Sequence, residues 1–284
     1  MERFSTCLLG ETKTLLLATD GSHFSEGAVQ EAIFFGQTYR GRVVVLHVIS
    51  TQVESISAAN FAVRQGQQEL VPHLDHIRNL ARDSGVEIEI VVVGSSKPEK
   101  TIVEQARLRK ADIILMGRHG KSGRLSLLVG KMTAKVIDQG FPRVLVAPKD
   151  FIITGSRVLL AVNGSPNSQR AVEEALSLGR SCATLEQLTV MAVVKREEDR
   201  LPAQEMVDAV CAQVRLEGLS TPCFPLVQVG GDPAKAIVAA AREQEVDMIL
   251  LGAPGRGGVI KMFKGNVTEN VIGLAHCAVL VVTA

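Results

Sequence analysis

The sequence predicts an α/β fold built twice: two tandem doubly wound parallel-sheet domains, residues 1–150 and 151–284. Three observations predict it. Short apolar runs of strand length alternate with longer helix-type segments, and that alternation means right-handed crossovers between parallel strands. The pattern then starts again near Val158. In each copy an apolar run leads through a glycine-rich loop into a helix start, the layout of a phosphate cradle.

The elements follow in order. Leu15-Leu16-Leu17-Ala18 is an apolar run that stops at Thr19-Asp20-Gly21-Ser22, so it reads as a buried strand ending in a turn. The next segment is helical, with Ser25 as its N-cap and Ala28, Val29, Ala32, Ile33 and Phe35 as its apolar face. Val43 to Ile49 is a second buried strand. Residues 50–84 are mostly helical, with Pro72 as a kink or a start. Val86 to Val93 is a third strand, Thr101 to Lys110 a helix and Ile113 to Met116 a fourth strand. The loop from Gly117 and a helix from Met132 to Asp138 come next, and Val144 to Ala147 is a fifth strand closed by Pro148.

Val158 to Ser165 repeats Leu15–Ser22 at an offset of 143, and Ala171 to Ala175 repeats Ala28–Ala32 at the same offset. Asp247 to Gly252 repeats Asp112–Gly117 at an offset of 135. That offset carries Gly120, Gly130 and Thr133 onto Gly255, Gly265 and Thr268. The final Val279 to Val282 falls on Val144–Ala147. The halves join near Asp150–Ser156, and the eight-residue drop in offset places a net shortening in the middle of the second half.

Composition excludes several classes. The net charge is +1, with 19 Lys and Arg against 16 Asp and Glu in residues 1–150. No polyanion-coating surface follows from that balance. With no Trp and one Tyr, base stacking has few platforms, so a nucleic-acid partner is not expected. No run approaches the ~18 apolar residues of a spanning helix, and no membrane partner is expected. The apolar run before Glu11 is too short for a signal peptide. The five cysteines are scattered and form no C-x-x-C pair. They predict a reducing, cytoplasmic setting without structural disulfides or a zinc site.

The loop G-R-H-G-K-S-G-R-L-S-L-L-V-G-K-M-T, Gly117 to Thr133, carries the chemistry. Glycine lets a backbone come close to an anion, and a helix N-terminus presents free N–H groups. Arg118, Lys121, Arg124, Lys131 and Lys135 lie within Gly117–Lys135, a stretch without an acid. Asp20, at a strand end, accepts from a ribose hydroxyl or an adenine amine, or makes a turn with its own backbone. The ligand role is favoured because the loop should lie alongside. Lys131 places a point charge on phosphate or points into solvent. Thr133 donates to phosphate or serves as an N-cap. His119 reads as a solvated loop residue rather than a catalyst.

These residues resemble the universal stress protein family, as a tandem two-domain member. The family's nucleotide motif reads G-x2-G-x9-G-[S/T]. Gly117, Gly120 and Gly130 fit its glycine spacing, as do Gly252, Gly255 and Gly265. Ala18-Thr19-Asp20-Gly21-Ser22 is similar to the family's adenosine-contacting turn. Leu46-His47-Val48 is similar to its second strand, whose valine backbone meets the adenine. Gly231 to Ile237 resembles its third-strand exit. The resemblance implies a five-stranded parallel sheet in each half and an ATP or AMP site at the carboxyl ends of the strands. Magnesium is left open as a companion of the phosphates. The implied contacts are Ala18, Thr19, Asp20, Val48, Met116, Gly117, His119, Gly120, Gly130, Lys131, Met132 and Thr133 in the first half. Those in the second are Asn163, Val193, Gly252, Gly255, Gly265, Asn266, Val267 and Thr268. This chain departs from the motif at Lys131 and Asn266, where the family has Ser or Thr, and carries Asn163 in place of Asp20. The resemblance also implies that the two last strands pair, so that one chain mimics a dimer. A further homodimer is left open.

Two other signals are set aside. Gly120-Lys121-Ser122 looks like the end of a Walker A motif, but the first glycine would fall on Leu115. His73-x-x-His76 with Asp75 has metal-ligand spacing, yet no further ligand cluster follows, and it reads as a solvated helix face. No nucleophile–base pair stands out. The expectation is a nucleotide-binding stress-response or regulatory protein without efficient catalysis. The alternatives are a weak ATPase or phosphotransferase, and a nucleotide-free scaffold.

Overall fold

The computed structural model describes residues 12–51, 56–118, 130–150, 153–182, 185–254 and 267–283. The chain divides into two compact units, one built on residues 12–118 and 130–150, the other on residues from 153 onward. The fold class is the expected one, an α/β architecture with a parallel sheet in each unit.

In the first unit the elements are β1 (Thr14–Ala18), α1 (Glu26–Tyr39), β2 (Arg42–Ser50), α2 (Ile56–Asp83) and β3 (Ile88–Ser95). They are followed by α3 (Pro98–Leu108), β4 (Ile113–Gly117), α4 (Lys131–Asp138) and β5 (Arg143–Ala147). Its strands lie in the order β3-β2-β1-β4-β5, all parallel. Leu15–Leu17, Val43–Val45 and Ile113–Leu115 have no exposed surface. Apolar residues in succession, rather than in alternation, are what a strand covered on both faces requires.

The second unit has β6 (Arg157–Ala161), α5 (Pro166–Ser181), β7 (Gln187–Val194), α6 (Arg200–Leu216) and β8 (Cys223–Val229). Then come α7 (Pro233–Glu243), β9 (Met248–Ala253), α8 (Val267–Leu274) and β10 (Ala278–Thr283). Its order is β8-β7-β6-β9-β10, again parallel. The shortening signalled by the drop in offset falls in the helix after the second strand: α6 has 17 residues where α2 has 28. Pro72 neither starts nor ends α2; it lies inside it. Pro225 sits in β8, the end strand of this unit's order away from β10, where a missing N–H is tolerated.

Helix starts follow local chemistry. Ser165 caps α5 by accepting from Ser168 N at 3.2 Å, and Pro166 stands in the first turn. Asp232 caps α7 by accepting from Ala234 N at 2.9 Å and Lys235 N at 3.1 Å. Ser25 takes the N-cap position of α1 but makes no side-chain cap. Its hydroxyl is drawn to Ser22 O at 2.7 Å, because a 3-10 turn, His23–Ser25, precedes the helix.

The repeated aspartate ahead of the fourth strand of each unit is architectural. Asp112 Oδ2 accepts from Lys13 N and Thr14 N, both at 2.8 Å, and fixes where β1 begins. Asp247, 7% exposed, accepts from Ser156 N at 2.8 Å, Arg157 N at 2.9 Å and the Thr154 hydroxyl, and does the same for β6. These amides head their strands and have no preceding ladder partner, so a carboxylate satisfies them.

One expectation is corrected. Cys211 of α6 and Cys223 of β8 are joined as a disulfide, with Cα atoms 5.4 Å apart. Over a sequence separation of 12 the chain passes from helix to edge strand, and packing of β8 on α6 folds that spacing back on itself. No periodicity in the sequence reports such a reversal. Cys182 and Cys277 are buried and take no part in that bond. Among the described residues no helix is long and apolar enough to cross a membrane.

Two outcomes follow from the packing of the second unit. Replacing Asp247 by Ala should lower its stability by about 3 kcal/mol in chemical denaturation, because buried amides lose a charged acceptor. Asp112→Ala should cost less, since its Lys13 partner is exposed. His276 provides a pH signature. Burial first, and the Arg242 charge second, hold its pKa below the ordinary 6.5, against the opposing pull of Asp247. The unfolded chain therefore takes up that proton first, and the stability due to neutral His276 is full above pH 6.5 and is lost as the pH falls below it. His276→Gln should flatten that part of the stability–pH curve.

Candidate functional site

Strand order reverses beside β1: α1 leads to β2 on one side, whereas β4 lies on the other. The loops leaving β1 and β4 therefore part at their carboxyl ends, and open α/β sheets bind ligands in that crevice. The same reversal occurs between β6 and β9.

On the first side of this crevice, Asp20 Oδ1 accepts from Ser22 N at 3.0 Å and from Ser22 Oγ at 2.7 Å. Asn163 Oδ1 accepts from Ser165 N at 3.1 Å and from Ser165 Oγ at 2.7 Å. Both turns are thus built by a side-chain carbonyl-type oxygen, which Asp and Asn supply equally well. Gly21 at φ +77° and Gly164 at φ +73° complete them, a conformation that disfavours any Cβ. The exchange of Asp for Asn leaves the turn intact and changes its charge.

The first-half turn is held by groups that its counterpart lacks. Thr19 is 5% exposed; its hydroxyl meets Ser25 Oγ at 3.0 Å and His73 Nε2 at 2.9 Å. His47 Nδ1 donates to Thr19 O at 2.9 Å. At the offset of 143, Val162 stands where Thr19 does. His76 bonds Glu26 at 3.2 Å and Asp75 bonds Arg78 at 2.7 Å, so the His73/His76 face packs α2 onto the turn. Among the described residues no cluster of His, Cys, Asp or Glu has the form of a metal site. Burial tends to raise the Glu26 carboxyl, but hydrogen bonds from Gln30 and His76 and the charges of His76 and His73 hold it below 4.5.

The floor of the crevice comes from strand ends of unequal length. Thr19 N donates to Leu46 O at 3.0 Å, so Leu46 turns its backbone groups toward β1. Backbone direction alternates along a strand, so Val48 also faces that side, and β1 has ended at Ala18. The N–H and C=O of Val48 thus point past the end of β1. In the second unit Val162 N donates to Met191 O at 2.9 Å, and Val193 points past Ala161 in the same way.

On the other side stand β4 and α4. Arg118 N donates to Ala147 O at 3.1 Å, and Gly130 N donates to Arg118 O at 3.0 Å, which ties the two ends of the loop together. Gly117 packs against the start of α1: a Cβ there would lie 2.9 Å from Phe24 O. At Gly252 a Cβ would lie 2.0 Å from Asn167 O. The first glycine of each motif is therefore required by helix–strand packing. Thr133, 3% exposed, donates its hydroxyl to Gly117 O at 3.2 Å. The N-cap of α4 is Gly130, not Thr133. With its one proton given to Gly117, the Thr133 hydroxyl pins α4 to β4. The N–H groups of Lys131, Met132 and Thr133 form the first turn of α4, where no intrahelical partner exists.

Of the sequence-derived candidates, Ala18, Thr19, Asp20, Val48, Met116, Gly117, Gly130, Lys131, Met132 and Thr133 belong to these strand ends, turns and helix start. So do Asn163, Val193, Gly252, Val267 and Thr268 in the second unit. Met116 is 5% exposed and Thr268 5%, so their side chains are packed inward. Lys131 is exposed on α4. His119, Gly120, Gly255, Gly265 and Asn266 lie outside the described residues, as do Lys121, Arg124, Arg256, Lys261 and Lys264. His47, His73 and Ser22 are supports that motif reasoning did not single out as such. Only Ser22 had a sequence signal, an Asp two residues before a hydroxyl.

A family model described as the universal stress protein family matches residues 11–148 and again residues 155–283. The chain belongs to the universal stress protein family. A universal stress protein of Methanocaldococcus jannaschii is 29% identical over 156 residues, 48% of this chain and 95% of its own length. One from Synechocystis is 24% identical and spans 94% of this chain and 99% of its own. The solved structure of a universal stress protein from Archaeoglobus fulgidus, 22% identical, has a TM-score of 0.75 over 95% of this chain and 98% of that one. That likeness concerns the fold. This chain is a tandem universal stress protein, in which one half is the size of a whole smaller relative.

The close approach of helix to strand in each universal stress protein half has a measurable consequence. Gly252→Ala forces backbone against backbone and should destabilise the second unit by roughly 2–3 kcal/mol, as overpacking does. Gly117→Ala meets its neighbour at a larger distance and should cost less. Urea unfolding of the two variants checks the order.

Proposed function

We propose that this universal stress protein is an adenine-nucleotide-binding regulator of the stress response, with one site per half and no efficient chemistry. The observation that carries this reading is the backbone edge of Val48, open past the end of β1 beside the Asp20 turn, and its repeat at Val193 and Asn163. A backbone N–H and C=O side by side match the adjacent acceptor and donor on an adenine edge. Asp20 and Asn163 lie where a ribose would follow, and the starts of α4 and α8 where phosphates would end. ATP and AMP share the adenine, the ribose and the first phosphate, and differ only in the phosphates beyond it. Magnesium, if it accompanies ATP, is held mainly by the phosphates: residues 117–135 and 252–267 contain no Asp or Glu. The lack of an acid in either loop also supports slow or absent phosphoryl transfer, which needs a positioned metal and a group that orients the nucleophile. The setting consistent with this role is the cytoplasm, where adenine nucleotides are abundant.

The two sites are unequal in this reading. Asp20 is a charged acceptor and Asn163 a neutral one, and charge-assisted hydrogen bonds are roughly twice as strong. Mass spectrometry of small molecules released on denaturing the purified protein should find ATP or AMP. Calorimetric titration should then show a tighter and a weaker site. Asp20→Asn preserves the turn and should weaken the tighter site about five- to tenfold, whereas Asn163→Asp should strengthen the weaker one. Release of no nucleotide, together with no heat from millimolar ATP or AMP, would overturn the proposal in favour of a nucleotide-free scaffold.

A further inference from the structure

The strand β8 lies at the end of its unit's order, next to β7, and its first residue is Cys223. Cys223 is partly exposed, and the next residue, Phe224, is 51% exposed. Its partner Cys211 is 1% exposed, on the face of α6 that packs inward with Val207 and Val214. The pair therefore has one sulfur that solvent species reach and one that they do not. The Cα separation of 5.4 Å lies in the middle of the disulfide range, so neither bonding nor release asks the backbone to move far.

The bridge is not alone in holding α6 in place: Val207, Val210 and Val214 bury the same face of that helix. The bond joins residues 12 apart in sequence, and so short a loop gains less from cross-linking than a long one. A bond with one sulfur open to solvent species belongs with the labile disulfides rather than the buried structural ones.

We infer that Cys211 and Cys223 form a reversible thiol–disulfide switch, operated by exchange with low-molecular-weight disulfides and thiols of the glutathione type. In oxidation the Cys223 thiolate attacks one sulfur of the small disulfide and expels one small thiol, leaving a mixed disulfide on Cys223. The Cys211 thiolate then attacks the Cys223 sulfur, expels the second small thiol and closes the protein bridge. Two protein thiols lose two electrons and two protons, and the small disulfide takes them up as two thiols. Reduction is the reverse, with Cys223 the sulfur first attacked. The bridge stands at the amino end of β8, whereas Val193 and the crevice lie at the carboxyl ends of the strands. Its effect is therefore on the opening of the edge strand and not on direct contact with a ligand, and the inference does not depend on nucleotide binding.

The test equilibrates the full-length protein in a series of reduced and oxidised glutathione ratios, quenches with acid, unfolds and alkylates it, and maps the peptides by mass spectrometry. The Cys211 and Cys223 peptides should pass from alkylated to cross-linked within that series. Cys223→Ser should leave Cys211 alkylatable in every buffer. Hydrogen exchange of β8 amides should be several-fold slower in the oxidised protein, with no such difference in Cys223→Ser. A cross-link absent at every ratio, or one that persists in fully reduced glutathione, would overturn the inference; the second result would mark a fixed staple.

Discussion

The constraint on which each half depends is a contact that leaves no room for a side chain. The first turn after β1 and the first turn of α5 cross the ends of β4 and β9 so closely that a Cβ on Gly117 or Gly252 would meet a carbonyl oxygen. That crossing places the turn after the first strand against the end of the fourth. Because strand order reverses at this point, the crossing also shapes the crevice. Packing and crevice geometry are thus one feature: the glycine that lets the helix sit down is the first of the three spaced glycines in each half.

Around that contact the two halves use the same supports with different polarity. An Asx turn follows each first strand, and an aspartate that accepts from strand-start amides heads each fourth strand at the opposite end of the sheet. The first half adds a layer of hydrogen bonds from His47 and His73 to Thr19, which ties β2 and α2 to the turn. The second half replaces Thr19 with Val162 and shortens the helix that would reach it. An interior of the same outline is therefore polar and cross-linked in one copy and apolar in the other. Such a difference alters how firmly the turn is held more than where it lies, because the Asx bond and the glycine at positive φ define its course in both.

Family membership and chemistry meet at the strand ends. The tandem match accounts for the architecture, and the ladder accounts for the open strand ends: a strand two or more residues longer than its neighbour presents a backbone donor and acceptor to open space. Val48 and Val193 are such residues by register alone, and any branched residue of strand propensity would serve there.

The class of the fold, the duplication, the strand interiors and the candidate loops are legible in the chain before it folds. Each of these follows from a one-dimensional signal: consecutive apolar residues, a fixed offset, or glycines at a set spacing. Asp20, Asn163, Gly117 and Gly252 were legible as special positions for the same reason. Their physical role was not. That Asp20 bonds Ser22, that Thr133 serves Gly117 rather than capping α4, and that Asp112 and Asp247 secure the beginnings of distant strands depend on which backbone groups lack partners. That is decided only when strands 98 residues apart come into register. The disulfide between Cys211 and Cys223 has the same origin, since a helix and an edge strand must pack before two scattered cysteines become neighbours. Local pattern follows from covalent neighbours, whereas partnership follows from the free energy of satisfying buried polar groups across the sheet, which exists only once the strands have assembled.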